Sequence, residues 1–242
     1  MKTTLCFGDS NTWGALPGTE GARAPLSDRW PSVMAAALNR GADDYHVIAE
    51  GLNGRTTVYE DPMSPGRSGI ATLPMLLDTH APLDLVIIML GTNDTKNFFQ
   101  VSAEQICRGM ELLVRAVAAS DAGPVGEAGP VEDVVTGRNG KPTFASSWPA
   151  VGPVPQLLIV APAPIGTLDE RMSPHFAPEA RAREVSRGLA AAYRFLAAET
   201  GAAFFDAGTV VTAGSDGVHL DIAGQRAFGA ALAEAVRAMP GL

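Results

Sequence analysis

A chain of 242 residues, 46% hydrophobic and 18% charged, is long enough to bury a substantial core in one α/β domain spanning residues 1–242. Its formal net charge of -8 at pH 7, with no Lys/Arg cluster to offset it, argues against nucleic acid or an anionic membrane as partner. No run of about 18 apolar residues offers a membrane span. Neither the two cysteines nor the four histidines fall at metal-ligand spacing, so no metal and no cofactor are expected. Cys6 and Cys107 stand far apart and read as reduced thiols of a cytoplasmic protein. The apolar run at the N-terminus is too brief for a signal peptide and carries a candidate functional residue instead.

The chain opens on an apolar strand that ends at Phe7 and Gly8, where a turn lifts Ser10 to the carboxyl edge of a sheet. Residues 15–30, rich in Gly and Pro, read as a long loop walling a cleft around that edge. Val33, Met34, Ala37 and Leu38 fall at helical spacing within 31–40, with Pro31 suited to the first turn. A short strand over 45–49 leads into Gly51-Leu52-Asn53-Gly54, whose glycines allow a tight turn with N–H groups facing a ligand. After a loop at 60–70 and a short helix at 71–79, the run 83–90 (LDLVIIML) reads as the centre of the sheet. It ends in Gly91-Thr92-Asn93-Asp94.

Residues 103–118 place Ile106, Met110, Leu113 and Val117 on one helical face. The Gly- and Pro-rich stretch 120–155 reads as an inserted loop, with Trp148 as its one large anchor for packing or a subunit contact. A strand at 157–161, a loop at 162–177, a helix at 180–200, a strand at 203–206 and a helix at 221–239 complete the chain. Five strands alternating with helices predict an α/β fold, a three-layer α/β/α sandwich around a five-stranded, mostly parallel sheet.

Between the last strand and the last helix lies Asp216-Gly217-Val218-His219. A serine hydroxyl is a poor nucleophile at neutral pH unless a base touches it, and imidazole has the pKa for that work. His219 is the candidate base for Ser10, and Asp216 is placed to accept the other ring N–H. Asp221, just before an apolar helix, reads as its N-cap. His46, His80 and His175 lack so close an acidic neighbour and read as structural. Acyl transfer also needs donors for the developing oxyanion. The Ser10 N–H, a backbone N–H in the Asn53-Gly54 turn and the Asn93 amide are the candidates, while Asp9, Asn11, Thr12 and Trp13 are expected to contact substrate.

In order, Gly8-Asp9-Ser10-Asn11, Gly54, Gly91-Thr92-Asn93-Asp94 and Asp216-Gly217-Val218-His219 resemble the four sequence blocks of the SGNH (GDSL-like) hydrolases. CFGDSNTWG, EGLNGRTT and PLDLVIIMLGTNDTK are most similar to the bacterial arylesterases also known as perhydrolases or acyltransferases. The resemblance implies a flavodoxin-like sandwich, a Ser10/Asp216/His219 triad and an oxyanion hole from Ser10, the 53–54 turn and Asn93. Arylesterases can carry a serine where this chain has Asn53, and the wider superfamily a glycine that aligns with Gly54, so both remain candidates. Asn11 replaces the leucine of the namesake motif, with no expected effect on the chemistry. The implied activity is hydrolysis of small acyl esters, with acyl transfer in competition where an apolar pocket limits water. The implied partners are a small-molecule ester and, since related arylesterases are oligomers, further copies of the chain. A carbohydrate deacetylase and a non-catalytic binding protein on the same fold are the alternatives.

Overall fold

The computed structural model describes residues 1–41, 44–124 and 154–242. Strand β1 (Lys2–Gly8) is followed by a one-turn helix α1 (Ser10–Trp13), helix α2 (Trp30–Leu38), strand β2 (Tyr45–Gly51), helix α3 (Gly69–His80) and strand β3 (Leu85–Met89). Helix α4 (Ala103–Ala118), strand β4 (Gln156–Ala161), the short helix α5 (Ser173–Phe176), helix α6 (Glu179–Thr200), strand β5 (Ala203–Asp206) and helix α7 (Ile222–Arg237) complete it. All strand pairings are parallel, in the order β2-β1-β3-β4-β5.

Alternation along the strands divides the core in two, because successive side chains leave a strand on opposite faces. Leu5, Phe7, Val86, Ile88 and Ile159 meet α3, α4 and α6 through Leu73, Leu77, Ile106, Met110, Leu113, Leu189 and Tyr193. Cys6, Leu85, Ile87, Met89, Leu158 and Val160 face α2 and α7 through Trp30, Met34, Leu38, Phe228, Leu232 and Val236. Trp30 and Phe228 lock the second layer, edge to face with centroids 5.2 Å apart. Helices therefore cover both faces, as alternating strands and helices in a parallel sheet require.

Register sets the position of the site. Gly8 pairs with Gly51 of β2 and with Met89 of β3, so the edge strand β2 and its neighbours β1 and β3 end level with one another. The segments they release carry Ser10, the 53–54 turn and Asn93. This edge lies at the point where the strand order reverses, where open α/β sheets form their crevices.

The predicted elements shift by small amounts. Helix α2 begins at Trp30, α3 runs from Gly69 to His80 through Pro74, and the central run is strand only over Leu85–Met89, with Leu83 and Leu90 buried beyond its ends. The loop expected at 162–177 contains α5. Most of the insertion expected at 120–155, Trp148 included, lies outside the described residues. Among the described residues no helix is long and apolar enough to cross a membrane, and no cluster of three or more His, Cys, Asp or Glu is placed to hold a metal ion.

Candidate active site

Ser10 is the first residue of α1, directly after Asp9. The Asp9 side chain caps that helix by accepting the Asn11 N–H at 3.0 Å, which fixes the sharp exit from β1. Gly8 is needed there for space: a Cβ on it would lie 2.1 Å from Thr12 Oγ1. Ser10 is then held with its hydroxyl directed at His219, donating to Nε2 over 3.0 Å.

The His219 ring is oriented from its other side, where Nδ1 donates to Asp216 Oδ2 at 2.7 Å. Asp216 Oδ1 in turn accepts the backbone N–H groups of Val218 (2.9 Å) and His219 (2.8 Å). Burial raises the Asp216 carboxyl, but the His219 ring and these two N–H groups outweigh it, and the net pKa is lowered below 3.8. The loop can turn this tightly because Gly217 has φ +79°, and a Cβ there would meet Thr167 O at 2.4 Å.

Asn11 ties the two halves of this arrangement together. Its Nδ2 donates to Val218 O (3.3 Å) and its Oδ1 accepts the Leu220 N–H (2.9 Å), one residue on either side of His219. Gln225 of α7 extends the clasp, donating to Asn11 O at 3.0 Å and accepting the Trp30 N–H at 2.9 Å. Asn11 at the leucine position of the motif is thus a structural bracket between nucleophile and base.

The residues expected to supply donors for an oxyanion lie at the same sheet edge as the Ser10/His219 pair. Leu52 to Arg55 form a turn closed by Arg55 N–H to Leu52 O at 3.0 Å, with Gly54 at φ +83° in the position that demands a left-handed residue. Asn93 is buried, and its Nδ2 donates to Arg55 O at 3.1 Å and lies 3.4 Å from Asp9 Oδ2. Ser10, Asn53, Gly54, Asn93, Asp216 and His219 all line one cavity of about 260 Å³.

Two buried carboxylates brace these segments. Asp94 accepts the Thr57 N–H at 3.0 and 3.1 Å and the Thr57 hydroxyl as well, tying the segment after β2 to that after β3. Burial pushes Asp94 up to about 6, against the opposing Thr57 hydrogen bonds. Asp9 is likewise raised to about 6 by burial, which outweighs the Asn11 hydrogen bond and the charges of His219 and Arg55. Arg55, itself pulled down to about 10 by burial, donates to the carbonyls of Gly8 (2.8 Å) and Glu50 and stacks 4.2 Å above the Phe7 ring. It joins the ends of β1 and β2.

Comparison with known proteins gives this geometry its context. The model of the GDSL-like lipase/acylhydrolase family matches residues 6–227, which spans every element of the cavity. The chain belongs to the GDSL-like lipase/acylhydrolase family. Among solved structures it is similar to an aryl esterase of M. smegmatis, with 38% identity over 98% of this chain and 99% of that one and a TM-score of 0.82. It is also similar to a carbohydrate acetylesterase family member from Sinorhizobium meliloti, with 42% identity over the whole of both chains and a TM-score of 0.81. An arylesterase of Vibrio mimicus is 40% identical over 74 residues, 31% of this chain and 32% of that protein's length.

Asp9, Asn11, Thr12 and Trp13, expected to contact substrate, do not line the cavity. Asp9, Asn11 and Thr12 are at most 5% exposed and serve the cap, the clasp and the packing under Gly8. Trp13 is covered by the Arg23 guanidinium, 4.5 Å from its ring. The walls come instead from Ala15, Leu16 and Thr19 of the first loop and from Asp169, Arg171, Met172, His175 and Phe176. The cavity is therefore mixed in polarity, where an apolar one was expected. His175 is a wall residue, and its carbonyl is clipped to Asn97 N–H at 2.8 Å. His80 ends α3 and meets Glu50 Oε1 at 2.9 Å, an acidic neighbour that sequence distance hid. His46 does lie within a strand, and Asp221 does cap α7, accepting the Gly224 N–H at 2.7 Å.

Proposed function

We propose that this GDSL-like protein is a serine esterase that hydrolyses small acyl esters through an acyl-enzyme on Ser10. The observation that carries the reading is His219, with Nε2 3.0 Å from Ser10 Oγ and Nδ1 2.7 Å from Asp216 Oδ2, beside a cavity of about 260 Å³. Ser10 Oγ attacks the ester carbonyl while its proton passes to His219 Nε2, and Asp216 stabilises the imidazolium that forms. The carbonyl oxygen, now negative, takes hydrogen bonds from the Ser10 N–H, from the 53–54 turn and from Asn93 Nδ2, which gives up its long 3.4 Å bond to Asp9 Oδ2 for it. Collapse of this intermediate expels the alcohol, which takes the proton from His219. Water then repeats the sequence on the acyl-enzyme, and an alcohol or hydrogen peroxide in place of water makes the outcome acyl transfer or perhydrolysis.

A second reading, removal of O-acetyl groups from carbohydrates, is favoured by the polar wall. Among the described residues, Lys96, Asp169, Arg171 and His175 line the cavity beside a single phenyl ring, Phe176, and such groups suit a hydroxylated alcohol. The Sinorhizobium meliloti relative carries that activity in its name. Both readings share one mechanism and differ in the alcohol. Two free cysteines, Cys6 buried and Cys107 half-buried, suit the reducing cytoplasm.

The test is hydrolysis of p-nitrophenyl acetate by the wild type, Ser10→Ala and His219→Ala. Both variants should fall to background, and a phosphonate should label Ser10 of the wild type. A Ser10→Ala variant as active as the wild type overturns the mechanism. The ratio of kcat/KM for acetylated xylose to that for phenyl acetate then chooses between the two alcohols.

A further inference from the structure

Away from the cavity, α4 and α6 lie side by side and leave a shallow groove between them. Cys107 Sγ reaches Ala192 O at 3.4 Å, a pair 85 residues apart, and a Cβ on Gly188 would sit 2.9 Å from the Cβ of Ala103 at the same separation. The two helices therefore run in the same direction and in step, which sets residue 195 level with residue 110.

The exposed face of α4 carries Glu104, Arg108, Glu111 and Arg115, at spacings of four, three and four that keep them on one stripe. Read from either end the stripe alternates, and the order of signs reverses. A point between Gly109 and Met110 is its centre, so Glu104 is the counterpart of Arg115 and Arg108 of Glu111. Within the chain Glu111 bonds both arginines, at 2.8 and 2.7 Å, and Glu104 has no cationic partner among the described residues. At the level of the same centre, α6 exposes Phe195, 69% accessible, between the small exposed residues Ala191 and Ala198.

We infer that the α4/α6 face binds a second copy of this chain about a two-fold axis that passes between Gly109 and Met110, stacking Phe195 on the partner subunit's Phe195 and pairing Glu104 with the partner subunit's Arg115. A two-fold contact must be self-complementary, each residue meeting the mate of its counterpart. Antiparallel apposition of α4 with its copy places every acid of the stripe opposite a base. Parallel apposition would set like charges together. The aromatic side chain falls at the axis, where an isologous interface buries its centre best. Two molecules of charge -8 repel at random orientations, so a locally alternating stripe also selects the approach.

Sedimentation velocity of the full chain over micromolar to 100 micromolar concentrations tests this. The wild type should sediment as a dimer or an even multiple of one, and Phe195→Glu should halve its mass. Glu104→Arg alone sets arginine against arginine across the axis, and Arg115→Glu alone sets acid against acid. Each should weaken association by about tenfold or more. An equimolar mixture of the two single variants restores an acid opposite each base and should recover the wild-type mass, as should the double variant. Circular dichroism and p-nitrophenyl acetate hydrolysis report on folding in each case, since the face is remote from the cavity. A monomeric wild type at 100 micromolar, single variants as heavy as the wild type, or a mixture no heavier than its components would each overturn the interface.

Discussion

Asn11 holds His219 by the peptide groups on either side of it, donating to Val218 O at 3.3 Å and accepting from Leu220 N at 2.9 Å. Because Asn11 also immediately follows Ser10, one side chain ties the base to the strand exit that carries the nucleophile. Asn11→Ala removes both bonds and leaves two buried backbone groups without partners, which costs about 1–3 kcal/mol for each unsatisfied group. Chemical denaturation measures that loss. Release of the His219 loop should lower kcat for p-nitrophenyl acetate by about a hundredfold, with KM changed far less. Unchanged kcat in a folded variant would show that the clasp serves stability alone.

The hydrogen bond between Asp216 and His219 makes a distinct prediction. Asp216→Asn keeps the size of the side chain but can offer an N–H where an acceptor is required, favouring the wrong tautomer of His219. By the logic of serine triads kcat should fall by about 10³–10⁴-fold, and steady-state kinetics with an aryl acetate reads it directly. Asp216 should also add stability at neutral pH. Its folded pKa is lowered, so this contribution is present above 3.8 and is lost as pH falls through the folded value.

Asn93 and the 53–54 turn separate by substitution. Asn93→Ala should cost about 10²–10³ in kcat while leaving KM nearly unchanged, because the donor acts on charge that develops only in the transition state. Asn53→Ala keeps the backbone of the turn. A rate within a few-fold of the wild type assigns the contact to a backbone N–H, whereas a loss like that of Asn93→Ala assigns it to the Asn53 side chain.

Asp94 has the opposite linkage to Asp216. Its folded pKa is raised to about 6 from 3.8, so the native state holds its proton more tightly than the unfolded chain. The stability this brings is fully present below 3.8 and is lost as pH rises through about 6. Asp94→Asn removes that titration. The stability of the wild type relative to Asp94→Asn should therefore decline between pH 4 and pH 7 in urea unfolding, and a difference that stays flat or grows would contradict the assignment.

Much of the architecture is legible along the chain because burial on both faces of a parallel strand leaves a continuous apolar run, as in Leu85–Met89, while α4 shows its apolar face at helical spacing. The same alternation of strands and helices places Ser10, Asn93 and the Asp216/His219 loop at one sheet edge. Element ends are less legible: Trp30 opens α2 and Gly69 opens α3 because of what they pack against, and neither carries a capping side chain. The cavity walls were hidden in another way. Arg171, His175 and Phe176 have no local pattern, and they reach the site because Gly166 N–H bonds Gly217 O at 2.8 Å and Ser186 Oγ accepts the Ile165 N–H at 3.0 Å.

The parallel sandwich and the residues that resemble a hydrolytic site can be read along the chain, since strand periodicity and motif spacing are local properties. That Asp9, Asn11 and Thr12 are buried supports and that His175 lines the cavity emerges only once the chain is folded. Which side chains face an opening depends on how distant segments pack and hydrogen-bond, and neighbours in sequence around Ser10 point into the protein as readily as toward a ligand.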